Sequence, residues 1–389
     1  MLTRLIPLVI ATFAVGTDNF VIAGLLPGIA KDLDVSISAA GQLVTVFALT
    51  FAISASVLGA LTSGLDRRRA LMIALGIFVV GNLATAVAPD YATVMAARVV
   101  SALGAGMITS SASATATALA PPERRGWVMS IVLGGLSVAT ALGLPLGTLL
   151  GGIGWRWTLL AVSALGLVAL IGVFLLLGPV YLPAADLSAR LRPLRDPGIL
   201  MILATTVVAL AGTYLFYTYI AAAFRPLTHG SVQQLTVLLF AYGVGDVIGT
   251  LASGKLGDRW GPRPVALGSL VASALVLAVQ PLLVRDFSAG LIWALTWGVC
   301  SAACIVPQQH RLIEKAPASA PILLGLSSTA IYLGISLGSG LGGLTSEWIS
   351  PDQFGYPAAV LTAAATVLVL VTKDRQRVPV FSSADKEMT

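Results

Sequence analysis

Twelve runs of roughly twenty apolar residues, each bounded by charge or turn residues, can be placed along this 389-residue chain, and little sequence is left over. A helix rising ~1.5 Å per residue needs a run of about that length to cross a bilayer core ~30 Å thick. The runs predict membrane helices at residues 5–29, 39–62, 70–88, 93–118, 127–150, 158–178, 198–224, 234–256, 265–284, 289–309, 322–345 and 356–373. Composition closes off the soluble alternative. Charged residues make up 10% of the chain and hydrophobic ones 57%, whereas soluble domains carry roughly a quarter charged residues.

Charge placement predicts orientation. With both termini cytoplasmic, eighteen of the 23 Lys and Arg fall inside, among them Arg4, Arg67, Arg68, Arg69, Arg124, Arg125, Arg190, Lys255, Arg259, Arg263, Arg311, Lys373 and Lys386. Lys31, Arg156, Arg225 and Arg285 fall outside, and Arg98 alone falls within a helix. This follows the positive-inside rule and favours an even helix count. It also accounts for the pI of about 9.5 without nucleic acid, since no soluble domain gathers the basic residues. The first run carries Asp18 at its middle and no cleavage site of small residues, so it reads as a retained helix. Cys300 and Cys304 lie one turn apart in the tenth run and read as packing residues.

A shift of 195 or 196 residues superposes landmarks of the two halves. Gly16-Thr-Asp-Asn-Phe20 meets Gly212-Thr-Tyr-Leu-Phe216, Gly143 and Gly147 meet Gly338 and Gly342, and Gly59 and Arg68 meet Gly254 and Arg263. The expected organisation is a six-helix half at 1–178, a cytoplasmic linker at 179–197, a second half at 198–375 and a cytoplasmic tail at 376–389. An even-helix half keeps its orientation when duplicated, so the halves are parallel repeats, an arrangement that places a binding site between them near the midplane.

The loop after the eighth run reads Gly254-Lys-Leu-Gly-Asp258-Arg259-Trp-Gly261-Pro-Arg263. It resembles the cytoplasmic loop motif of the major facilitator superfamily, and the resemblance extends over nearly the whole chain. The fold it implies is all-α integral membrane, with twelve helices in two six-helix parallel repeats. The first-half loop, Gly59 to Arg69, departs from the motif, with Ser63 for the usual Asp and Asp66 for the second Gly. In the family these loops latch the halves together. The resemblance therefore implies that role for Gly59, Asp66, Arg67, Arg68, Gly254, Asp258, Arg259, Gly261 and Arg263, with Asp66 standing in for the missing acid. Asp18 followed by Pro27, Arg98-Val-Val-Ser-Ala-Leu-Gly104, and Gly143-Leu-Pro145-Leu-Gly147 resemble the twelve-helix drug:proton antiporters, where the Gly-Pro element on the fifth helix is the antiporter hallmark. With Trp155-Arg156-Trp157, the chain is most similar to the branch of chloramphenicol-resistance and arabinose-efflux-like exporters.

The residues support a transport reading independently. Among 17 acidic residues only Asp18 and Asp246 fall mid-helix, and a charge at the bilayer centre costs at least ~3 kcal/mol. A carboxyl group whose exposure and partner change between two states can take up a proton on one side and release it on the other. Asp18 with Arg98 as its partner is the leading proton-coupling pair, and a fixed structural ion pair is the alternative. Asp246, in Gly243-Val-Gly245-Asp246-Val-Ile-Gly249, is either a second proton site or a carboxyl group bonded to a neighbouring helix backbone. By the repeat, Asp18 maps onto Tyr214 and Arg98 near Trp293, with Tyr217 and Trp297 one turn on. These four and Asn19 are the candidate substrate cavity, whose rings suit an amphipathic organic compound, with packing as the alternative.

Two apparent nucleotide motifs fail. Gly249 to Leu256 nearly matches a P-loop, but Leu256 replaces the magnesium-binding hydroxyl, and Gly338 to Gly343 lies inside an apolar helix. No nucleophile and base pattern suggests an enzyme, and no metal or cofactor is expected. The expected function is proton-driven efflux of a small amphipathic compound by a monomer of the cytoplasmic (inner) membrane, with the proton gradient as energy source. The alternatives are a facilitator or proton symporter for a small nutrient and a membrane scaffold without transport activity.

Overall fold

The computed structural model describes residues 2–62, 64–181, 192–283 and 286–372. Ser63, residues 182–191 of the expected linker and the expected tail 376–389 lie outside the described residues, as do Arg190, Arg285, Lys373, Arg375, Arg377 and Lys386. Twelve described helices are long and apolar enough to cross a membrane: α1 (Thr3–Asp32), α2 (Ile37–Leu58), α3 (Arg67–Val87), α4 (Tyr91–Leu119), α5 (Arg125–Gly151), α6 (Trp155–Leu176), α7 (Pro197–Tyr217), α8 (Val232–Trp260), α9 (Pro262–Leu282), α10 (Phe287–Lys315), α11 (Pro317–Thr345) and α12 (Pro351–Val371). Large apolar side chains such as Val80, Leu175, Ile292 and Val360 are left exposed on the outer faces, where lipid and not water is the solvent.

The helices depart from the expected spans where hydropathy carries no signal. Charges close an apolar run, yet α3 begins at Arg67 and α10 continues to Lys315, because the last turns of a membrane helix reach the polar interface. The run 198–224 is continuously apolar, but regular helix stops at Tyr217 and resumes over Ile220–Ala223 after a turn. Prolines mark two further irregularities. A wide turn at Ala139–Gly143 precedes Pro145 in α5, and α10 is interrupted at residues 303–304, where Pro307 has no N–H to offer the Ala303 carbonyl.

Packing repeats from half to half. In the first half α1 packs on α5 and α6, α2 on α4, and α3 on α4 and α6. In the second α7 packs on α11 and α12, α8 on α10, and α9 on α10 and α12. A pair of capping bonds repeats as well: Arg68 donates to the Phe174 carbonyl at the end of α6 (2.6 Å), and Arg263 to the Leu370 carbonyl at the end of α12 (2.9 Å). The halves meet along two symmetric seams, α2 against α11 and α5 against α8. Ser38 donates to the Gly343 carbonyl (3.0 Å), Ser336 to the Thr45 carbonyl (3.0 Å), and Ser56 shares a 2.6 Å bond with Thr329.

Small residues allow this approach, since lipid offers no hydrophobic drive between helices and close van der Waals packing must replace it. A Cβ at Gly338 would fall on the backbone of Ala211 and Leu215 in α7, whereas nothing lies within 4 Å of one at Gly254. Gly338→Val should therefore lower the thermal unfolding midpoint in detergent, by the equivalent of about 1–3 kcal/mol of overpacking. Gly254→Ala should leave it unchanged. Equal midpoints for the two variants would contradict the α7–α11 packing.

Candidate functional site

Asp18 sits halfway along α1 with no exposure, and Arg98 on α4 is 1% exposed. The guanidinium Nη1 donates to Asp18 Oδ1 at 2.5 Å, and Asn82 Nδ2 on α3 donates to Oδ2 at 3.2 Å while also bonding the Phe78 carbonyl. Three helices thus converge on one carboxylate. The Arg98 guanidinium carbon lies 4.1 Å from the centre of the Phe47 ring, a cation–π contact from α2. Phe47 leads to Phe51, which stacks at 3.6 Å on Tyr332 of α11. The pair is held by the first half, and a chain of rings through Phe47 and Phe51 leads from it to Tyr332 of the second. It retains spare bonding capacity. Arg98 Nε, Asn82 Oδ1 and the Oδ1 of buried Asn19 have no partner among the described residues, an expensive condition for buried polar atoms unless something else visits them.

The second-half residues form an aromatic cluster. Tyr214 and Tyr217 lie 5.1 Å apart between ring centres, Tyr217 and Tyr242 5.3 Å, Tyr242 and Trp297 4.8 Å, and Trp297 stacks on Trp293 at 5.1 Å. Tyr217 also donates to the Phe20 carbonyl of α1 at 3.4 Å, joining the halves. Trp293 gives its N–H to the Val276 carbonyl of α9 (2.6 Å), so its polar atom is committed to packing, while the fully buried Trp297 N–H has no partner among the described residues.

Asp246 is half-buried on α8, one turn beyond Tyr242. The glycines beside it carry the packing: Gly243 against the Thr140 and Ala141 backbone of α5, Gly245 and Gly249 against Leu295 and Val299 of α10. With successive residues about 100° apart around a helix, Tyr242 and Asp246 point between those two contacts, toward the interior. Its carboxyl group makes no bond to a neighbouring helix backbone among the described residues.

The loop motifs sit differently from what the resemblance implies. Asp66 accepts from the Arg68 and Val180 N–H groups (3.3 and 2.8 Å) and Arg67 N–H donates to the Val180 carbonyl, so Asp66 caps α3 and ties it to the segment after α6 in its own half. Both bonds to the Asp66 carboxylate end on its Oδ1 and stay within the first half. Asp258 is exposed, Arg259 lies over Trp260, and Gly261 ends α8 at φ +87°, a backbone conformation that favours glycine. In α5, Gly143 packs on Thr17 and Gly147 on Val21 and Thr158, with Pro145 buried beside them.

Arg98 as the one cation within a helix is corrected. Arg311 lies in α10, is 1% exposed and donates to Gln308 at 2.7 Å. The apolar run ends at 309 because the charges beyond it break the hydropathy pattern. Asn82 and Tyr332 escaped sequence reading altogether. A neutral amide in an apolar run is the signal that could have found Asn82. Asp32 is a further one, since it ends α1 by pairing with Arg156 and accepting from the Trp155 indole (3.0 Å).

Three comparisons bear on identity. The sequence profile described as Major Facilitator Superfamily matches residues 8–226 and again 201–387. Inner membrane transport protein YdhP of Escherichia coli is 32% identical over 384 residues, 96% of each chain, and the uncharacterized MFS-type transporter YbcL of Bacillus subtilis is 29% identical over 377 residues, 95% of this chain and 96% of that one. The fold is similar to the crystal structure of a bacterial homolog to human lysosomal transporter Spinster in an inward-facing and occupied conformation, at TM-score 0.79 and 16% identity over 95% of this chain and 96% of that one.

Proposed function

The chain belongs to the major facilitator superfamily, and from that premise we propose that it is a proton-coupled exporter of the drug:proton antiporter branch, moving a small amphipathic compound by alternating access. The observation that carries this reading is the sealed Asp18–Arg98 pair with Asn82 as its third member. Protonating Asp18 removes the charge that holds the guanidinium and frees Arg98 to seek its other neighbours. The balance between two arrangements of the helices then depends on the proton, and a solute that binds one arrangement better is coupled to it. Placement in the inner membrane, as the name of the Escherichia coli relative states for that protein, with both termini cytoplasmic, belongs to the same proposal.

The test uses purified protein in liposomes, with radiolabelled chloramphenicol first in a panel of amphipathic antibiotics. For an antiporter, an acid lumen should drive the solute inward and an alkaline lumen should not. Inward movement driven only by an alkaline lumen would make the protein a symporter, and equal rates with and without a gradient would make it a facilitator.

A further inference from the structure

A file of three rings runs from the Asp18–Arg98 pair to the other half of the protein. Arg98 divides its guanidinium between the Asp18 carboxylate at 2.5 Å and the face of Phe47 at 4.1 Å. Phe51 lies one turn beyond Phe47 on α2, with ring centres 6.4 Å apart, and stacks on Tyr332 of α11 at 3.6 Å with 16° between the planes. All three side chains are buried, and in a close-packed interior a displaced ring presses on the next. Tyr332 stands on the α2–α11 seam between two bonds that join the halves, Ser336 to the Thr45 carbonyl on one side and Ser56 with Thr329 on the other. Its hydroxyl makes no hydrogen bond among the described residues, so it meets α2 through its ring. Two rings prefer offset or edge-on contact to this face-to-face one, and the stack itself therefore offers little resistance to a slide of α11 along α2.

Arg98 supplies the drive. While Asp18 is charged, it takes most of the guanidinium's attraction. Once Asp18 is protonated, the Phe47 face is the strongest of the described contacts that remain, and a ring face holds a cation more firmly where water is excluded. Arg98 then settles on Phe47, and the shift passes through Phe51 to Tyr332. The charged group that faces Asp18 is Arg98 of α4; every other charged residue of α1 to α6 stands near a helix end, and α3 offers the neutral Asn82. The Ile220–Ala223 segment packed on α1 carries no ionisable side chain, and no described ion pair or hydrogen bond joins Asp18 to Asp246, the mid-helix acid of α8.

We infer that Phe47, Phe51 and Tyr332 are positioning residues that convey the protonation of Asp18 across the α2–α11 seam to the second half. This rests on the transport reading above and names the route by which its proton step reaches the other half.

The experiment places para-fluorophenylalanine at position 332 of the full chain, the fluorine taking the place of the hydroxyl, and follows its magnetic resonance in nanodiscs as pH is varied. The resonance should move through a titration in the otherwise unaltered chain. That movement should vanish in Asp18→Asn and in Phe47→Leu, which keeps an apolar side chain without a ring face, and should survive in Phe47→Tyr, which keeps the face. Phe51→Leu interrupts the file one ring further on and serves in place of Phe47→Leu if that variant fails to fold. In liposomes, Phe47→Leu should lower gradient-driven solute movement by about tenfold or more while exchange without a gradient stays within about threefold of wild type. A parallel fall in both would mark a ring that only packs, and would overturn the assignment. So would a resonance indifferent to pH in the otherwise unaltered chain, or a titration that persists in Asp18→Asn, Phe47→Leu or Phe51→Leu. A ring-borne pH response without gradient-driven movement of any solute would sink the transport reading alone. Gradient-driven transport with a resonance indifferent to pH would sink this one alone.

Discussion

Asp18→Asn should reduce pH-gradient-driven solute movement to the level of empty liposomes. Asparagine keeps the shape of the side chain and a carbonyl oxygen that can still accept from Arg98 and Asn82, but it takes up no proton between pH 4 and 9. The coupling is lost, while exchange of labelled for unlabelled solute without a gradient should survive, because substrate binding and the rocking of the halves do not need the carboxyl group. The substitution also leaves the Arg98 guanidinium buried without a counter-charge, and breaking a buried ion pair from one side costs about 3–5 kcal/mol. A melting curve therefore belongs beside every transport measurement. Asp18→Glu serves as the second variant, since it restores a titrating group and should restore coupling if it folds. Undiminished gradient-driven transport by folded Asp18→Asn would overturn the assignment of Asp18, and with it the observation that carries the proposed function.

The pairing of Asp18 with Arg98 was legible because each is a charge isolated in an apolar run, and a bilayer leaves such groups few partners other than each other. Composition and the length of the apolar runs place the twelve helices for the same reason: one solvent imposes one length. What the sequence withheld depends on three-dimensional approach. Asn82 is neutral and barely lowers the hydropathy of α3, and Tyr332 comes to Phe51 from the other half, far along the sequence. Arg311 lies past the end of a hydropathy window, because charge closes such a window, whereas α10 carries it back into the protein against Gln308. The bend after Tyr217 has no proline or glycine to announce it. Motif resemblance carries no sign that Asp66 caps α3 and bonds the Val180 backbone, contacts that only the fold brings together. The seams between halves were out of reach too, since glycine and serine positions on α2 and α11 look alike whether they face lipid or protein.

Those seams yield the second large effect. At the end of the molecule that carries residues 33–36, Ser38 of α2 bonds the Gly343 carbonyl of α11, and a Cβ built at Gly343 would stand 3.0 Å from Ser38 Oγ, a separation that a disulfide bridges. That Cβ would also stand 2.6 Å from the Gln42 amide nitrogen, the far end of a flexible side chain that can turn away. In a background lacking Cys300 and Cys304, Ser38→Cys with Gly343→Cys should therefore cross-link on mild oxidation. Alternating access requires this end to part so that a central solute can leave toward it. Oxidation should lower transport by at least about tenfold, since every locked molecule is removed from the cycle, and dithiothreitol should restore it. Either single cysteine should be indifferent to oxidant. Because the lock acts on the halves and not on the proton site, binding of a solute from the opposite side should persist in the oxidised protein even as its passage stops. Full transport by a completely cross-linked protein, with the disulfide verified by mass spectrometry, would mean that the halves do not separate along the α2–α11 seam, and rocking about a central site would have to be abandoned.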